Sequence, residues 1–123
     1  MSGAPYAGLT GFYVLVVEDE YLQAWDCCDW LRDAGAIVAG PVGDAAAARD
    51  ILDRQRVDAA VVDINLGQGP DFQLASQLTN RGVPFIFATG YDARVVPAGF
   101  RQAPLLEKPF EPQDLVAAVG SLR

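Results

Sequence analysis

Along the chain, short continuous apolar runs alternate with longer stretches whose apolar residues recur at helical spacing. Phe12 to Val17 is unbroken apolar sequence until it meets acids, the pattern of a strand buried on both faces. From Glu20 to Ala34 the period changes. Tyr21, Ala24, Trp25, Cys28 and Leu31 then share one face, which predicts a core-facing helical stripe stopped by Gly35. Ala36 to Ala39 reads as a second strand, closed by Gly40-Pro41. Asp44 is placed to cap a helix running through Asp53, with Ala48, Ile51 and Leu52 turned inward. A third strand, Asp58 to Asp63, is almost wholly apolar until its last residue.

Gly67-Gln68-Gly69-Pro70 reads as a loop before a helix from about Asp71 to Asn80, with Phe72, Leu74, Ala75 and Leu78 apolar and Gly82 as its stop. Pro84 to Ala88 gives a fourth strand. Between Tyr91 and Ala103 the pattern is least regular: Asp92 to Val96 can form a helical turn, but Pro97 and Gly99 exclude a long helix. Leu105-Leu106 makes a short fifth strand, and Glu111-Pro112 opens a last helix with Leu115, Val116, Val119 and Leu122 as its buried stripe. This alternation predicts an α/β protein, a five-stranded doubly wound parallel sheet in one domain. Residues 1–11 read as a poorly ordered lead-in, and residues 12–123 as the domain proper. In such sheets ligands sit beyond the carboxyl ends of the strands.

Composition narrows the chemistry. Hydrophobic residues make up 51% and charged residues 20% of 123, enough for a core without staples. Nine Lys+Arg against sixteen Asp+Glu leave a charge of −7, the wrong sign for tracking phosphates of nucleic acid. There is no histidine, which removes Ser-His and Cys-His catalysis, His-ligated zinc and a phosphohistidine carrier. The two cysteines, Cys27 and Cys28, are adjacent, so they form neither a disulfide framework nor a metal knuckle. They read as packing residues of a protein in a reducing cytoplasm. No apolar run is long enough to span a membrane, and the N-terminus lacks the basic and apolar regions of a signal peptide.

The predicted strand ends gather charge. Strand one ends in Glu18-Asp19-Glu20, strand three in Asp63 and strand four in Thr89, while Glu107-Lys108-Pro109 follows strand five. Two carboxylates about 4 Å apart repel by about 4 kcal/mol at an effective dielectric of about 20, so the cluster should hold a cation. All-oxygen ligation suits Mg²⁺, which keeps waters and bridges to phosphate.

With Val-Leu-Val-Val-Glu18-Asp19-Glu20, Ala-Ala-Val-Val-Asp63-Ile-Asn65-Leu, Phe-Ala-Thr89-Gly90 and Glu-Lys108-Pro109-Phe110 in this order, the sequence resembles the receiver domain of two-component response regulators from Phe12 to Leu122. Phe87-Ala88-Thr89-Gly90-Tyr91 is similar to the subgroup nicknamed FAT GUY receivers, often single-domain proteins that work with HWE or related histidine kinases. The resemblance implies a flavodoxin-like (βα)5 fold with strand order 2-1-3-4-5. It implies a phosphoacceptor at Asp63, Mg²⁺ bound by Asp19, by Glu18 directly or through water, by Asp63, and by the backbone carbonyl of Asn65. Thr89 and Lys108 would hold the phosphoryl oxygens, and Pro109, at the place of the family's cis proline, would aim the lysine stem. Such chemistry suits phosphoryl transfer, where metal, ammonium and hydroxyl neutralise the equatorial oxygens.

The resemblance has departures. Leu105 stands where the family usually has a switch aromatic, and Pro97 breaks the fourth helix, so the sequence departs from the usual Thr–aromatic switch. Tyr91 either takes over signalling, covers the site or simply packs. On the first helix, Leu22, Asp26, Asp29 and Trp30 point away from the expected core stripe, which offers Leu22, Asp26 and Trp30 as a docking face for a histidine kinase or histidine phosphotransferase. The first expectation is therefore a stand-alone, cytoplasmic receiver, monomer or weak dimer. It would catalyse its own phosphorylation and dephosphorylation without being a turnover enzyme, and signal to an unknown downstream protein or act as a phosphate sink. Neither nucleic acid nor membrane is expected as a partner. The alternatives are a receiver-like binding module that signals without phosphorylation, a receiver fragment of a longer regulator, and a flavodoxin-like cofactor binder. The last lacks a phosphate-cradling loop after strand one.

Overall fold

A computed structural model describes residues 7–67 and 69–123. Five strands, β1 (Tyr13–Val17), β2 (Ile37–Val42), β3 (Ala59–Val62), β4 (Phe85–Thr89) and β5 (Leu105–Glu107), form one parallel sheet in the order β2-β1-β3-β4-β5. The helices are α1 (Tyr21–Asp33), α2 (Ala45–Arg54), α3 (Gln73–Asn80) and α4 (Pro112–Gly120). This is a flavodoxin-like doubly wound sheet with the strand order expected.

Alternation along the strands divides the core into two layers. Val14, Val16, Val61 and Ile86 face α1 and α4, meeting Cys28, Leu31, Leu115 and Val119. Leu15, Val17, Val62 and Phe87 face α2 and α3, meeting Ala48, Leu74, Ala75 and Leu78. Helix starts follow their side chains: Glu20 accepts the Gln23 N–H at 2.8 Å, and Asp44 accepts that of Ala47 at 2.8 Å.

In four places the structure departs from the sequence reading or fills in what it left open. First, β2 does not close at Gly40-Pro41 but runs on to Val42. Gly40 adopts a φ of +97°, and a Cβ there would come within 2.8 Å of the Val16 carbonyl oxygen, so only glycine lets the strand slip register and stay beside β1. The Gly40–Pro41 peptide is cis.

Second, α1 is rotated from the expected stripe. Ala24, Cys27, Cys28 and Leu31 face the sheet, whereas Tyr21 is 70% and Trp25 40% exposed. Three of the four inward residues are small, which lets the helix axis approach the sheet and leaves the large rings outside. Trp30, expected to point outward, is half-buried and meets Phe110 edge to face at a centroid distance of 6.2 Å. Leu22 is exposed as expected.

Third, the β4–β5 connection holds two short 3₁₀ turns, Ala93–Val95 and Ala98–Phe100, on either side of Pro97. The helical turn expected near Asp92 is present, and Asp92 caps it by accepting the Arg94 N–H at 2.8 Å. Buried Val96, and Phe100 stacked on Phe72 at 6.0 Å, hold the segment to the α3 side.

Fourth, part of the expected lead-in belongs to the domain. Residues 1–6 lie outside the described residues, but Leu9 is fully buried in the α1–α4 layer. Arg123 clamps this segment, donating to the carbonyls of Gly8 at 3.0 Å and Thr10 at 2.8 Å, with its guanidinium over the Phe12 ring. Leu9→Ala is accordingly expected to lower stability by about 2–4 kcal/mol in urea unfolding, the cost of a buried cavity. A change within a few tenths of a kcal/mol would return residues 7–11 to the status of a lead-in.

Candidate functional site

The carboxyl ends of β1, β3, β4 and β5 surround one open cavity of about 440 Å³. Its walls include Glu18, Asp19, Asp63, Thr89, Tyr91 and Lys108. Each polar group arrives there because a strand ends at that point. Asp63 follows β3 directly, Thr89 closes β4, and Lys108 follows β5, its N–H donated to the Thr89 carbonyl at 2.8 Å.

Asp63 is only 6% exposed, and both its oxygens are engaged: Oδ1 accepts the Asn65 N–H at 3.0 Å and Oδ2 accepts from Lys108 Nζ at 2.8 Å. Lys108 Nζ donates as well to Glu18 Oε1. Glu18 Oε2 accepts the Glu20 N–H at 3.0 Å. Burial pushes the Glu18 carboxyl up to about 7, although the Lys108 hydrogen bond and the Glu20 N–H pull the other way. Burial also works against the Lys108 charge, but its hydrogen bonds to Asp63 and Glu18 outweigh this and hold the ammonium above its ordinary pKa. The cavity therefore keeps one ammonium firmly charged among carboxylates.

Glu18, Asp19 and Asp63 each offer an oxygen, and these oxygens lie within 4.8 Å of one another. Hard oxygen donors at this spacing fit Mg²⁺. Asn65 lines the same cavity, and its side chain is spent on its own loop: Oδ1 accepts the N–H groups of Gly67 at 3.1 Å and Gly69 at 3.2 Å. Gly67, with a φ of +102°, passes so near Asp19 that a Cβ would lie 3.4 Å from Oδ2. The Lys108–Pro109 peptide is cis.

Of the remaining candidates, Tyr91 belongs to this cavity and the others lie outside it. Tyr91 is half-buried at the cavity wall, and its N–H is donated to Thr89 Oγ1 at 3.2 Å. Leu105 lies elsewhere, in a groove shared with Ala93, Val96 and Arg101. Asp26 and Trp30 line a small groove with Cys27, Pro109 and Phe110, which Leu22 does not join. Gln23 carries a signal that the sequence reading missed. It stands in the first turn of α1, four residues after Asp19, and borders both the acidic cavity and this groove.

A parallel α/β sheet with a carboxylate cluster, a hydroxyl and a single ammonium at its carboxyl edge is the arrangement expected of a two-component receiver domain. Residues 14–120 match the family model described as response regulator receiver domain, and the chain belongs to this family. Among solved structures it is similar to the BeF3-activated conformation of SdrG from Pseudomonas melonis Fr1, with 36% identity and a TM-score of 0.77 over 89% of this chain and 93% of that one. It is also similar to a mutant of the anti-anti-sigma factor PhyR from Bartonella quintana, with 25% identity and a TM-score of 0.81 over 95% of this chain and 50% of that one. A curated relative, the sensory transduction protein LytR of Streptococcus agalactiae serotype V, is 36% identical over 83 residues, 65% of this chain and 34% of that protein. The chain thus spans about a third of the length of LytR. No helix among the described residues is long and apolar enough to cross a membrane.

The cysteines sit apart from the cavity's chemistry. Burial pushes the Cys27 thiol up to about 12 and the Cys28 thiol up to about 11, so neither is a thiolate near neutrality. Both are expected to resist an alkylating reagent at pH 8 in the folded protein and to react on unfolding, as read by intact mass. Rapid labelling of the folded protein would contradict this.

Proposed function

We propose that the protein accepts a phosphoryl group on Asp63 from the phosphohistidine of a histidine kinase or histidine phosphotransferase. The observation that carries this reading is the Asp63 carboxylate, nearly buried at the floor of an open cavity and held between the Asn65 N–H and the Lys108 ammonium. An Asp63 oxygen forms the new bond to phosphorus while the bond from phosphorus to the donor nitrogen breaks, and the freed imidazole keeps the electron pair. Glu18, Asp19, Asp63 and the backbone carbonyl of Asn65 would hold Mg²⁺, which supplies charge neutralisation for the transferring group. Lys108 contributes a point charge on a flexible stem, and Thr89 a hydroxyl whose proton is free to donate. Pro109 fixes the turn from which that stem departs.

In this reading the protein is a cytoplasmic signalling module that catalyses only its own phosphorylation and dephosphorylation. It passes its state on by protein contact or serves as a phosphate sink. Whether it works as a single domain or inside a longer regulator, the chemistry at Asp63 is the same. The donor docks beside the cavity on the first turns of α1, where Tyr21 and Leu22 are each 70% exposed and Asp26 stands next to exposed Trp25.

Incubation with Mg²⁺ and a small phosphodonor is expected to add the mass of one phosphoryl group, and Asp63→Asn to abolish the gain. Asp19→Asn is expected to weaken Mg²⁺ binding at least tenfold in a metal titration, an effect of about 1.4 kcal/mol. An unmodified mass under these conditions would favour a receiver that signals without phosphorylation. Unchanged Mg²⁺ affinity would remove Asp19 from the metal site.

Readout falls to the β4–β5 connection. Leu105 lacks a polar tip and lies outside the acidic cavity, while Tyr91 hangs from the Thr89 hydroxyl by its own N–H. A Thr89 side chain drawn toward the phosphoryl group breaks that contact and frees the segment that follows. Hydrogen exchange with a phosphoryl mimic is expected to change between Gly90 and Ala103. Unchanged protection there would overturn this route.

A further inference from the structure

Lys108 lines two cavities at once. On one side its ammonium reaches the acidic cavity, donating to Asp63 Oδ2 at 2.8 Å and to Glu18 Oε1. On the other side Lys108 lines a separate groove of about 180 Å³ with Cys27, Trp30, Pro109 and Phe110. Trp30 and Phe110 meet there edge to face, with an interplanar angle of 74°, and both are half-buried against the α1–α4 layer.

The lysine backbone is not free to follow its ammonium. Its N–H is bonded to the Thr89 carbonyl, and the preceding residue, Glu107, is paired with Thr89 in the β4–β5 register. Any re-aiming of Nζ is therefore taken up by the four methylenes of the stem, and Lys108 is a lining residue of both cavities. A phosphoryl group on Asp63 brings roughly −1.5 to −2 charges and strong acceptor oxygens. It competes with Glu18 for the same ammonium. We propose that Lys108 couples the two cavities: the Trp30–Phe110 groove has one shape while the ammonium bridges Glu18 and Asp63, and another once a phosphoryl group on Asp63 holds it. The coupling is reciprocal, so whatever lies in the groove biases where the ammonium points. This rests on the phosphoacceptor reading of Asp63, and adds a second route of readout on the α1 face, away from the β4–β5 connection.

Tryptophan emission tests it, because the chain has two tryptophans and Trp25 stands on the exposed flank of α1. In Trp25→Phe protein the remaining emission reports Trp30. Addition of Mg²⁺ with beryllofluoride, a phosphoryl stand-in, is followed by Trp30 emission and, in the same sample, by fluorine NMR of the bound fluoride. The expected result is a bound-fluoride signal accompanied by a shift in Trp30 intensity or maximum. Lys108 is the single lysine of the chain, so ¹³C-lysine labelling reports its side chain alone, and its NMR signals are expected to shift over the same beryllofluoride range as the Trp30 emission. A bound-fluoride signal with silent Trp30 overturns the coupling and leaves the phosphoacceptor reading standing. No bound signal at all overturns the phosphoacceptor reading and the coupling with it. A Trp30 response with unshifted Lys108 side-chain signals overturns the route through the lysine.

Discussion

An ammonium held between two carboxylates that have almost no access to water carries this cavity. Glu18 and Asp63 are 7% and 6% exposed, and both face the lysine that follows the last strand. Leaving such a buried charge without its partner typically costs about 3–5 kcal/mol, so Lys108 is what allows two acids to stand together below the protein surface. The burial that makes the pair costly also keeps it responsive. An incoming oxyanion or cation enters an environment where charges are weakly screened, and it redistributes partners that already exist.

The scaffold's contribution is to end four strands at one edge. Parallel pairing from β2 through β5 brings Glu18, Asp63, Thr89 and Lys108 to the same rim, although 90 residues separate Glu18 from Lys108. Backbone contacts hold this rim in register: Asp63 N–H to the Val17 carbonyl at 3.0 Å, and Lys108 N–H to that of Thr89 at 2.8 Å. The loop after β3 is tied by the Asn65 amide oxygen, and glycine at position 67 lets it pass close to Asp19 without a side chain intruding. The rigid parts thus lie beneath the charges. The Tyr91–Ala103 connection, which holds only two short 3₁₀ turns, lies beside them.

The division between what was legible and what was not follows the range of the forces involved. Strand runs such as Val14–Val17 and Ala59–Val62 are readable because burial on both faces demands continuous apolar residues. Pro97 and Gly99 announce the broken connection because their backbone restrictions are local. The orientation of α1 was misread for the opposite reason. Tyr21 and Trp25 sit at helical spacing with Ala24, Cys28 and Leu31, and hydrophobicity alone favours rings over Cys27 in the core. Only the packing distance set by the sheet makes small residues the better fit. Trp30 is drawn inward by Phe110, which comes 80 residues later and to which no spacing rule points.

The sequence by itself determined the alternation of elements, hence the sheet, and the identity of the acids, hydroxyl and ammonium at the strand ends. These depend on residue type and on neighbours a few positions away. The tertiary structure decided which face of α1 meets the sheet, that Leu9 belongs to the core, that β2 continues past Gly40, and that one lysine lines two cavities. Each of these is set by contacts between segments distant in the chain, where the outcome depends on how closely the surfaces fit as well as on how apolar they are.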